Sequence, residues 1–251
     1  MHQNTFYCAG SCPASAYAAE YLRKKGFRVS TEPDWTARHL LLDVPSFRDG
    51  MLRNGDHPDT LLSALPSGIH IWGGNLQHPS LTPFHTTDLL LDEQYLITNA
   101  AITADCAMKI ATPLLQNHWK NTTVLIIGWG RISKHLGKLL QDVGCAPVIT
   151  SRNAIQRATL QSLGYSAADP GELPSILKGF QVIFNTAPAT VIPADHSSLC
   201  ANAIKIDLAS KKGIEASDVI WARGLPGIHA PERSGKLIAD TIIRIMKEET
   251  A

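Results

Sequence analysis

The sequence lacks several features that would place it in a broad class of protein. Its 251 residues include 23 lysines and arginines against 22 aspartates and glutamates, so it has no basic excess of the kind that general nucleic-acid binders carry. No apolar run approaches the roughly 20 residues that span a bilayer, and the N-terminus lacks the basic start and apolar core of a signal peptide. We therefore expect neither a nucleic-acid partner nor a membrane partner.

Cysteine is scarce, and its spacing is irregular. The five positions form neither a CxxC pair nor a repeated pattern: Cys8, Cys12, Cys106, Cys145 and Cys200. An odd number of unpatterned cysteines indicates reduced thiols and a cytoplasmic location. No HExxH motif is present, and His70, His78 and His85 are widely spaced in a loop-rich stretch. We expect these to be surface histidines, and we expect no metal site.

The sequence does contain alternating apolar runs and helical patterns, which predict an α/β fold with parallel sheets. We divide it into an N-terminal α/β substrate-side domain (1–97), a Rossmann domain (98–231) with a linking helix at 104–119, and a C-terminal helix (232–251). Thr103 is a plausible N-cap for the linking helix. The Rossmann domain should be a doubly wound parallel sheet. The N-terminal domain should be smaller and flavodoxin-like, and the last helix could pack back on it.

A glycine turn follows the apolar strand 124–127 and precedes an amphipathic helix at 131–141. In dinucleotide-binding folds the first glycine permits the turn, the second admits the pyrophosphate, and the third allows close packing of the helix on the strand. Gly128 and Gly130 occupy the first two places, and Ser133 replaces the third. The pyrophosphate would lie at the helix N-terminus. The alternative is a glycine turn that merely connects strand to helix.

The second strand of this unit ends at Ser151, Arg152 and Asn153, without the acidic residue that NAD-binding folds use for the ribose 2′-hydroxyl. A serine and an arginine could instead hydrogen-bond and neutralise a 2′-phosphate, so NADP is favoured over NAD. The alternative is that Arg152 is an ordinary surface arginine.

The C-terminal half contains more specific motifs. These are the segments 206–213 (IDLASKKG) and 223–231 (RGLPGIHAP), together with Ser234-Gly235, 128–131 (GWGR) and 185–188 (NTAP). With them, the chain resembles the family of the dipicolinate synthase A-subunit, which belongs to spore-forming bacteria. The resemblance is good over about residues 98–245 and weak over 1–97. More distantly, the architecture resembles that of the D-2-hydroxyacid dehydrogenases.

The resemblance implies an oxidoreductase of sporulation that dehydrogenates a dihydrodipicolinate-type ring to dipicolinate, with hydride transfer to NADP. It also implies a small dicarboxylate substrate, a homo-oligomer and a flavoprotein-like second subunit. Two positions depart from the expected pattern. Lys211 stands where the family has arginine, and His229 stands where the family has an apolar residue. His229 is also close to the place of the acid–base histidine in the hydroxyacid dehydrogenases.

The candidate site residues follow from these motifs. We expect the cofactor to contact Gly128, Trp129, Gly130, Arg131, Ile132, Ser151, Arg152, Asn153, Thr186, Ala187 and Pro188. We expect the substrate to contact Asn99, Thr103, Lys211, Lys212 and Gly227, with His229 and Lys211 as catalytic residues.

Each of these assignments has a simpler alternative. The lysine pair could be a solvated turn, His229 a structural loop histidine, and Thr103 and Asp105 helix caps. The segment 224–231 is too rich in glycine and proline to form a regular element, so we expect a constrained loop there. The function also has alternatives: a dehydrogenase of another 2-hydroxy or 2-imino acid, or a non-catalytic NADP-binding sensor or scaffold.

Overall fold

The computed structural model describes residues 5–66 and 68–249. Contacts divide the chain into two compact units. The first comprises Met1–Asn99 and Pro226–Ala251, and the second comprises Ala100–Leu225. The first unit is therefore built from both ends of the chain. Among the helices of the described residues, none combines the length and the apolar composition that crossing a bilayer requires.

Strands and helices alternate along most of the chain. The strands are β1 (Thr5–Cys8), β2 (Arg28–Ser30), β3 (His39–Leu41), β4 (Phe47–Arg48), β5 (Met51–Leu52), β6 (His70–Gly73), β7 (His85–Asp88), β8 (Val124–Ile127), β9 (Val148–Thr150), β10 (Ser166–Ala168), β11 (Val182–Asn185), β12 (Ile204–Asp207) and β13 (Ile220–Trp221). The α-helices are α1 (Pro13–Lys24), α2 (Pro58–Leu62), α3 (Glu93–Ala111), α4 (Arg131–Asp142), α5 (Ala154–Ser162), α6 (Leu173–Ile176), α7 (Leu225–His229) and α8 (Pro231–Glu248).

The first unit contains a parallel sheet in the order β2-β1-β3-β6-β7, with β4 and β5 forming a separate antiparallel pair. This is the flavodoxin order, with β6 and β7 as the fourth and fifth strands. Helix α8 packs on this unit: Ile238, Ala239 and Ile242 join a buried cluster with Ala18 and Leu22 of α1. The chain thus returns to its first unit at the end.

The second unit contains a parallel sheet in the order β10-β9-β8-β11-β12-β13. Counted from β8, this is the doubly wound order 3-2-1-4-5-6 of dinucleotide-binding folds. All residues of β8 and β11 are buried, as expected of central strands with both faces covered. The predicted fold class, a Rossmann-type sheet with a flavodoxin-like unit, is confirmed.

The predicted linking helix at 104–119 is wrong in its bounds, because α3 runs from Glu93 to Ala111. The start is capped by Asp92, whose Oδ1 accepts a hydrogen bond of 2.7 Å from the Tyr95 amide. The helix gives way to a 3₁₀ turn at Thr112–Leu114, where Pro113 lacks the amide that a continuing helix would need. Thr103 therefore lies inside the helix and is not its N-cap.

The constrained loop predicted at 224–231 is also wrong, because this segment contains the helical turn α7 and the first residue of α8. Proline is tolerated in the first turn of a helix, where its missing amide would have no partner anyway. Pro226 occupies such a place, and its carbonyl accepts a hydrogen bond of 3.0 Å from the Ala230 amide. The prolines here begin helices instead of preventing them.

His70 is not a surface histidine as expected: it is 8% exposed. It begins β6 between His39 of β3 and His85 of β7, which are its register partners. Its ring stacks on Trp72 with centroids 4.2 Å apart, and its Nε2 lies 2.7 Å from Thr87 Oγ1. Burial and the neighbouring His85 and His39 lower the pKa of His70 to about 4. The imidazole is therefore neutral in the folded protein near pH 7.

This lowered pKa predicts a loss of stability in mild acid. Unfolding restores the ordinary pKa of about 6.5, so between pH 6.5 and 4 the unfolded chain binds a proton that the folded chain does not. We expect the free energy of unfolding of wild type, relative to His70→Phe, to fall by on the order of 2–3 kcal/mol from pH 7 to pH 4.

Denaturant titrations at several pH values measure this difference. The matched control is His118→Phe, at an exposed position in the second unit, which should keep the pH dependence of wild type. A difference between wild type and His70→Phe that does not vary with pH would contradict the buried neutral imidazole.

Candidate nucleotide site

The glycine turn lies where β8 meets α4. Gly128 has a φ of +101°, a conformation that favours glycine, and its amide donates to the Thr150 carbonyl at 3.2 Å. Gly130 is the N-cap of α4 and provides no side-chain cap. A Cβ placed on Gly130 would meet no atom within 4 Å, so the backbone is open to a ligand there. An uncapped helix N-terminus beside an open backbone suits an anion such as a pyrophosphate.

Ser133, in the third position of the motif, makes a hydrogen bond that its small size alone does not predict. It is fully buried, and its Oγ lies 2.7 Å from Thr186 Oγ1. Thr186 Oγ1 in turn donates to the Ile127 carbonyl at 2.9 Å. Because the single Thr186 hydroxyl proton points to Ile127, the Ser133 hydroxyl is the donor to Thr186. The serine thus ties the first turn of α4 to the ends of β8 and β11.

Two arginines, Arg152 and Arg157, lie just after the end of β9, and they differ in their exposure and in their partners. The Arg152 side chain is exposed and forms no hydrogen bond or ion pair with the described residues of its unit. Arg157, one turn into α5, forms an ion pair of 2.7 Å with Asp169. Its Nη1 also donates to the carbonyls of Ser151 and Arg152, at 2.6 and 3.0 Å. Arg157 therefore fixes the backbone of this segment, while the Arg152 guanidinium stays available to a ligand.

The other two predicted groups at this strand end are held by neighbours. Ser151 is buried, and its hydroxyl donates to Gln156 Oε1 at 2.6 Å. Asn153 caps α5 by accepting from the amides of Ile155 and Gln156, at 2.8 and 3.2 Å. Of the three candidates, Arg152 has the side chain best placed to meet a 2′-phosphate. Arg157 was missed, although an arginine one turn after an N-cap asparagine is a recognisable signal.

A buried carboxylate organises the segment that carries the two lysines. Asp207, at the end of β12, is fully buried. Its Oδ1 accepts from Asn185 Nδ2 and from the Ala209 amide, both at 3.0 Å. Its Oδ2 accepts from the Gly213 and Ile214 amides, at 2.6 and 3.0 Å. These hydrogen bonds compensate the desolvation of the carboxylate and shape the loop from 208 to 214.

The lysines of this loop point to solvent. Lys211 and Lys212 are both exposed, and Lys212 Nζ donates to the Ala216 carbonyl at 3.4 Å. Lys211 makes no hydrogen bond or ion pair with the described residues of its unit. A rigid loop that carries an uncommitted ammonium group is suited to binding a carboxylate.

The structure brings all of the cofactor candidates to one edge of the second sheet. Those at 128–132, 151–153 and 186–188 follow the carboxyl ends of β8, β9 and β11, which are neighbours in one sheet. Ligands of open parallel sheets bind at this edge. The substrate candidates are more scattered. Thr103 is a buried interior residue of α3, which removes it as a helix-start ligand. Asn99, Gly227 and His229 belong to the first unit.

His229 is exposed at the end of α7, and its ring forms no hydrogen bond within the described part of its own unit. Gly227 lies inside the same helical turn, and Asn99 is an interior residue of α3. The substrate and catalytic roles of these residues stay predictions. Among the described residues, no group of three or more metal-binding side chains is arranged to hold a metal ion.

A concavity of about 420 Å³ lies at the opposite edge of the second sheet. It adjoins the amino ends of β8, β11 and β12 and is lined by Leu114, Leu115, Gln116, Asn117, Thr122, Gln181, Asn202 and Ile204. None of these side chains is charged, so the concavity lacks the cation that a phosphate needs. The chemistry therefore favours the glycine-turn edge for an anionic nucleotide.

Comparison with known proteins supports the Rossmann-type fold of the chain. Protein-family profiles give no match to the chain. The A-subunit of dipicolinate synthase from Bacillus subtilis (strain 168) is 26% identical over 137 residues, which cover 50% of this chain and 45% of that protein. The match thus spans less than half the length of the relative.

Solved structures match over nearly the whole chain. The dipicolinate synthase A-subunit from Bacillus halodurans superposes with a TM-score of 0.85 at 18% identity, covering 98% of both chains. Its counterpart from Bacillus subtilis gives 0.79 at 17% identity, covering 99% of this chain and 97% of that one. The resemblance to the dipicolinate synthase A-subunit is confirmed. It extends in fold to the first sheet, in the part of the chain where the sequence resemblance is weak. An L-alanine dehydrogenase shares the fold at a TM-score of 0.66 and 12% identity, covering 96% and 80% of the two chains.

The Asp207 network predicts a stability defect. In Asp207→Asn an amide group replaces one carboxylate oxygen, so either the Gly213 and Ile214 amides or the Asn185 and Ala209 donors lose an acceptor. We expect the free energy of unfolding to fall by about 2–4 kcal/mol, measured by denaturant titration. Asp195→Asn, an exposed carboxylate of the same unit, is the control and should remain within about 0.5 kcal/mol of wild type. Equal stability of the two variants would refute the organising role of Asp207.

Proposed function

We propose that this chain is an NADP-dependent oxidoreductase of the same type as the dipicolinate synthase A-subunit. It would oxidise a dihydrodipicolinate-type ring to the aromatic pyridine dicarboxylate. The observation that carries the proposal is the edge of the second sheet: an open, uncapped helix N-terminus follows the glycine turn, and the uncommitted Arg152 guanidinium lies at the next strand end. The likeness to dipicolinate synthase supports the choice of substrate.

The residues present fit a nicotinamide dinucleotide. The amides at the start of α4 would hold the pyrophosphate, and Arg152 would pair with a 2′-phosphate. Thr186, Ala187 and Pro188 follow β11, where they would contact the nicotinamide half. When bound, the nicotinamide supplies a hydride acceptor. No acidic side chain stands at 151–153 to repel a 2′-phosphate, which is why we favour NADP over NAD.

On the substrate side, a dihydro ring becomes aromatic by losing one hydride and one proton, and aromatisation supplies the driving force. The protein therefore has mainly to orient the ring and hold its carboxylates. We assign carboxylate binding to Lys211 and Lys212, whose loop is held by Asp207. We assign acceptance of the proton to His229, because its exposed imidazole is a side chain that can act as a general base.

Two other functions are kept as alternatives. The shared fold with an L-alanine dehydrogenase favours a dehydrogenase of another 2-hydroxy or 2-imino acid. Lysine in place of arginine at position 211 loses the two-pronged grip on a carboxylate, which favours an NADP-binding sensor or scaffold without turnover.

The proposed assembly follows from the same resemblance. The partners that we propose are a second copy of this chain, in a homo-oligomer, and a flavoprotein-like second subunit. The cysteines of the described residues are free thiols, which supports a cytoplasmic location.

Turnover tests the proposal. NADP is supplied with dihydrodipicolinate generated in situ, with and without the second subunit, and absorbance of the reduced nicotinamide is followed. We expect reduction of NADP. Reduction with only a 2-hydroxy or 2-imino acid would overturn the substrate assignment. Binding of NADP without any reduction, even when the second subunit is present, would favour the sensor.

The free Arg152 side chain predicts how the two cofactors are distinguished. In Arg152→Ala the 2′-phosphate loses its charge partner, so the Kd for NADP should rise about tenfold or more while the Kd for NAD changes less than about twofold. Isothermal titration calorimetry with both nucleotides measures this. Lys120→Ala, which removes an exposed cation near the opposite edge of the sheet, is the matched control and should change neither. Equal losses for both nucleotides would contradict the preference for NADP.

A further inference from the structure

Trp129 is an unusual residue for its position. It stands between the two glycines of the turn, where no large side chain is required, yet its indole is only half-buried. The ring contacts Tyr165 edge to face, with centroids 5.8 Å apart and an interplanar angle of 61°. Lys134 Nζ lies 5.9 Å from the indole centroid. The indole is thus held on two sides by side chains of its own unit.

Tyr165 reaches Trp129 by crossing α4. Its backbone is fixed at the end of α5, where its amide donates to the Leu160 carbonyl at 3.0 Å. A Cβ on Gly137 of α4 would lie 3.3 Å from Tyr165 Cε1 and 3.4 Å from the Tyr165 hydroxyl. Glycine inside a helix costs about 0.5–1 kcal/mol relative to alanine, so its presence here suits a close passage of the tyrosine ring.

Because Trp129 lies within the glycine turn, its contact with Tyr165 also restrains the backbone of the turn. Trp129 carries the only side chain between Gly128 and Gly130, so its contacts with Tyr165 and Lys134 are the ones that a side chain of the turn itself makes. Edge-to-face aromatic pairs contribute about 0.5–1.5 kcal/mol beyond burial. That is enough to favour one conformation of a short turn over its competitors.

We propose that Tyr165 is a positioning residue for the nucleotide site: through Trp129 it holds the turn 128–130 in the geometry that receives the pyrophosphate. The absence of a side chain at Gly137 leaves space for the Tyr165 ring. The role rests on the dinucleotide binding of the proposed function but not on the choice between NADP and NAD. Both nucleotides contain the pyrophosphate, so Tyr165 affects them equally, in contrast to Arg152.

Calorimetric titration of the full chain with NADP and with NAD tests the role. We expect Tyr165→Ala to raise the Kd of both nucleotides about three- to tenfold with their ratio unchanged. Tyr165→Phe keeps the ring and should restore both affinities to within about twofold of wild type. Leu163→Ala, an exposed position two residues away with 57% of its surface accessible, is the control for a change in this segment. If Tyr165→Ala does not fold, Tyr165→Leu replaces it, because leucine fills space without an aromatic edge.

A double-mutant cycle separates positioning from general loosening. If Tyr165 acts through Trp129, then Tyr165→Ala should have little further effect on affinity in a Trp129→Ala background. Additive losses, or no rescue by phenylalanine, would overturn the role. Wild-type protein that binds neither nucleotide would overturn the proposed function and this role with it. Equal affinities of wild type and Tyr165→Ala for both nucleotides would overturn this role alone.

Discussion

The edge of the second sheet depends on one chain of hydroxyl groups. Ser133 donates to Thr186, and Thr186 donates to the last carbonyl of β8. These bonds connect a helix start with the ends of two central strands, and they do so in a buried place where an unmade hydrogen bond would be costly. The glycine turn is therefore fixed from inside by hydroxyls. Its outer side is left open, and the aromatic contact of Trp129 restrains it there.

At the same edge, some charged side chains have partners within the unit and others do not. Arg157 and Asp207 form ion pairs or hydrogen bonds with neighbouring groups, and these bonds fix the backbone around them. Arg152 and Lys211 belong to the same segments, and both side chains are exposed without a partner among the described residues of their unit. The distinction is invisible in composition, because the same residue types serve both purposes. It also explains how an almost neutral chain can have a locally cationic sheet edge.

Local patterns were enough to predict the β8–α4 unit and the alternation that yields both sheets. The signals there lie close together in sequence, as an apolar strand, a glycine turn and an amphipathic helix. The errors concern helix boundaries, where one residue pattern suggested the wrong start or end and another residue determines the true one. Thr103 looked like a helix cap, but Asp92 stands at the true helix start and accepts the hydrogen bond of the Tyr95 amide. Prolines at 226 and 231 suggested a loop, although both positions tolerate proline at a helix start.

Other features depended on partners far away in sequence and could not be predicted. The burial of His70 follows from strand order, because its neighbours His39 and His85 belong to adjacent strands. The Ser133 bond needs Thr186, which is 53 positions distant. Within its own motif Ser133 is expected only to allow close packing, and the assembled sheet reveals the second role.

The return of α8 to the first unit has a consequence for biosynthesis. The ribosome synthesises the chain from its N-terminus. The face of α1 that bears Ala18 and Leu22 is therefore made long before α8, whose side chains cover it. The second unit is continuous, so its full set of contacts can form during translation. We expect the first unit to keep an uncovered apolar helix face until α8 has been synthesised, and that interval is when the nascent chain most needs protection from aggregation.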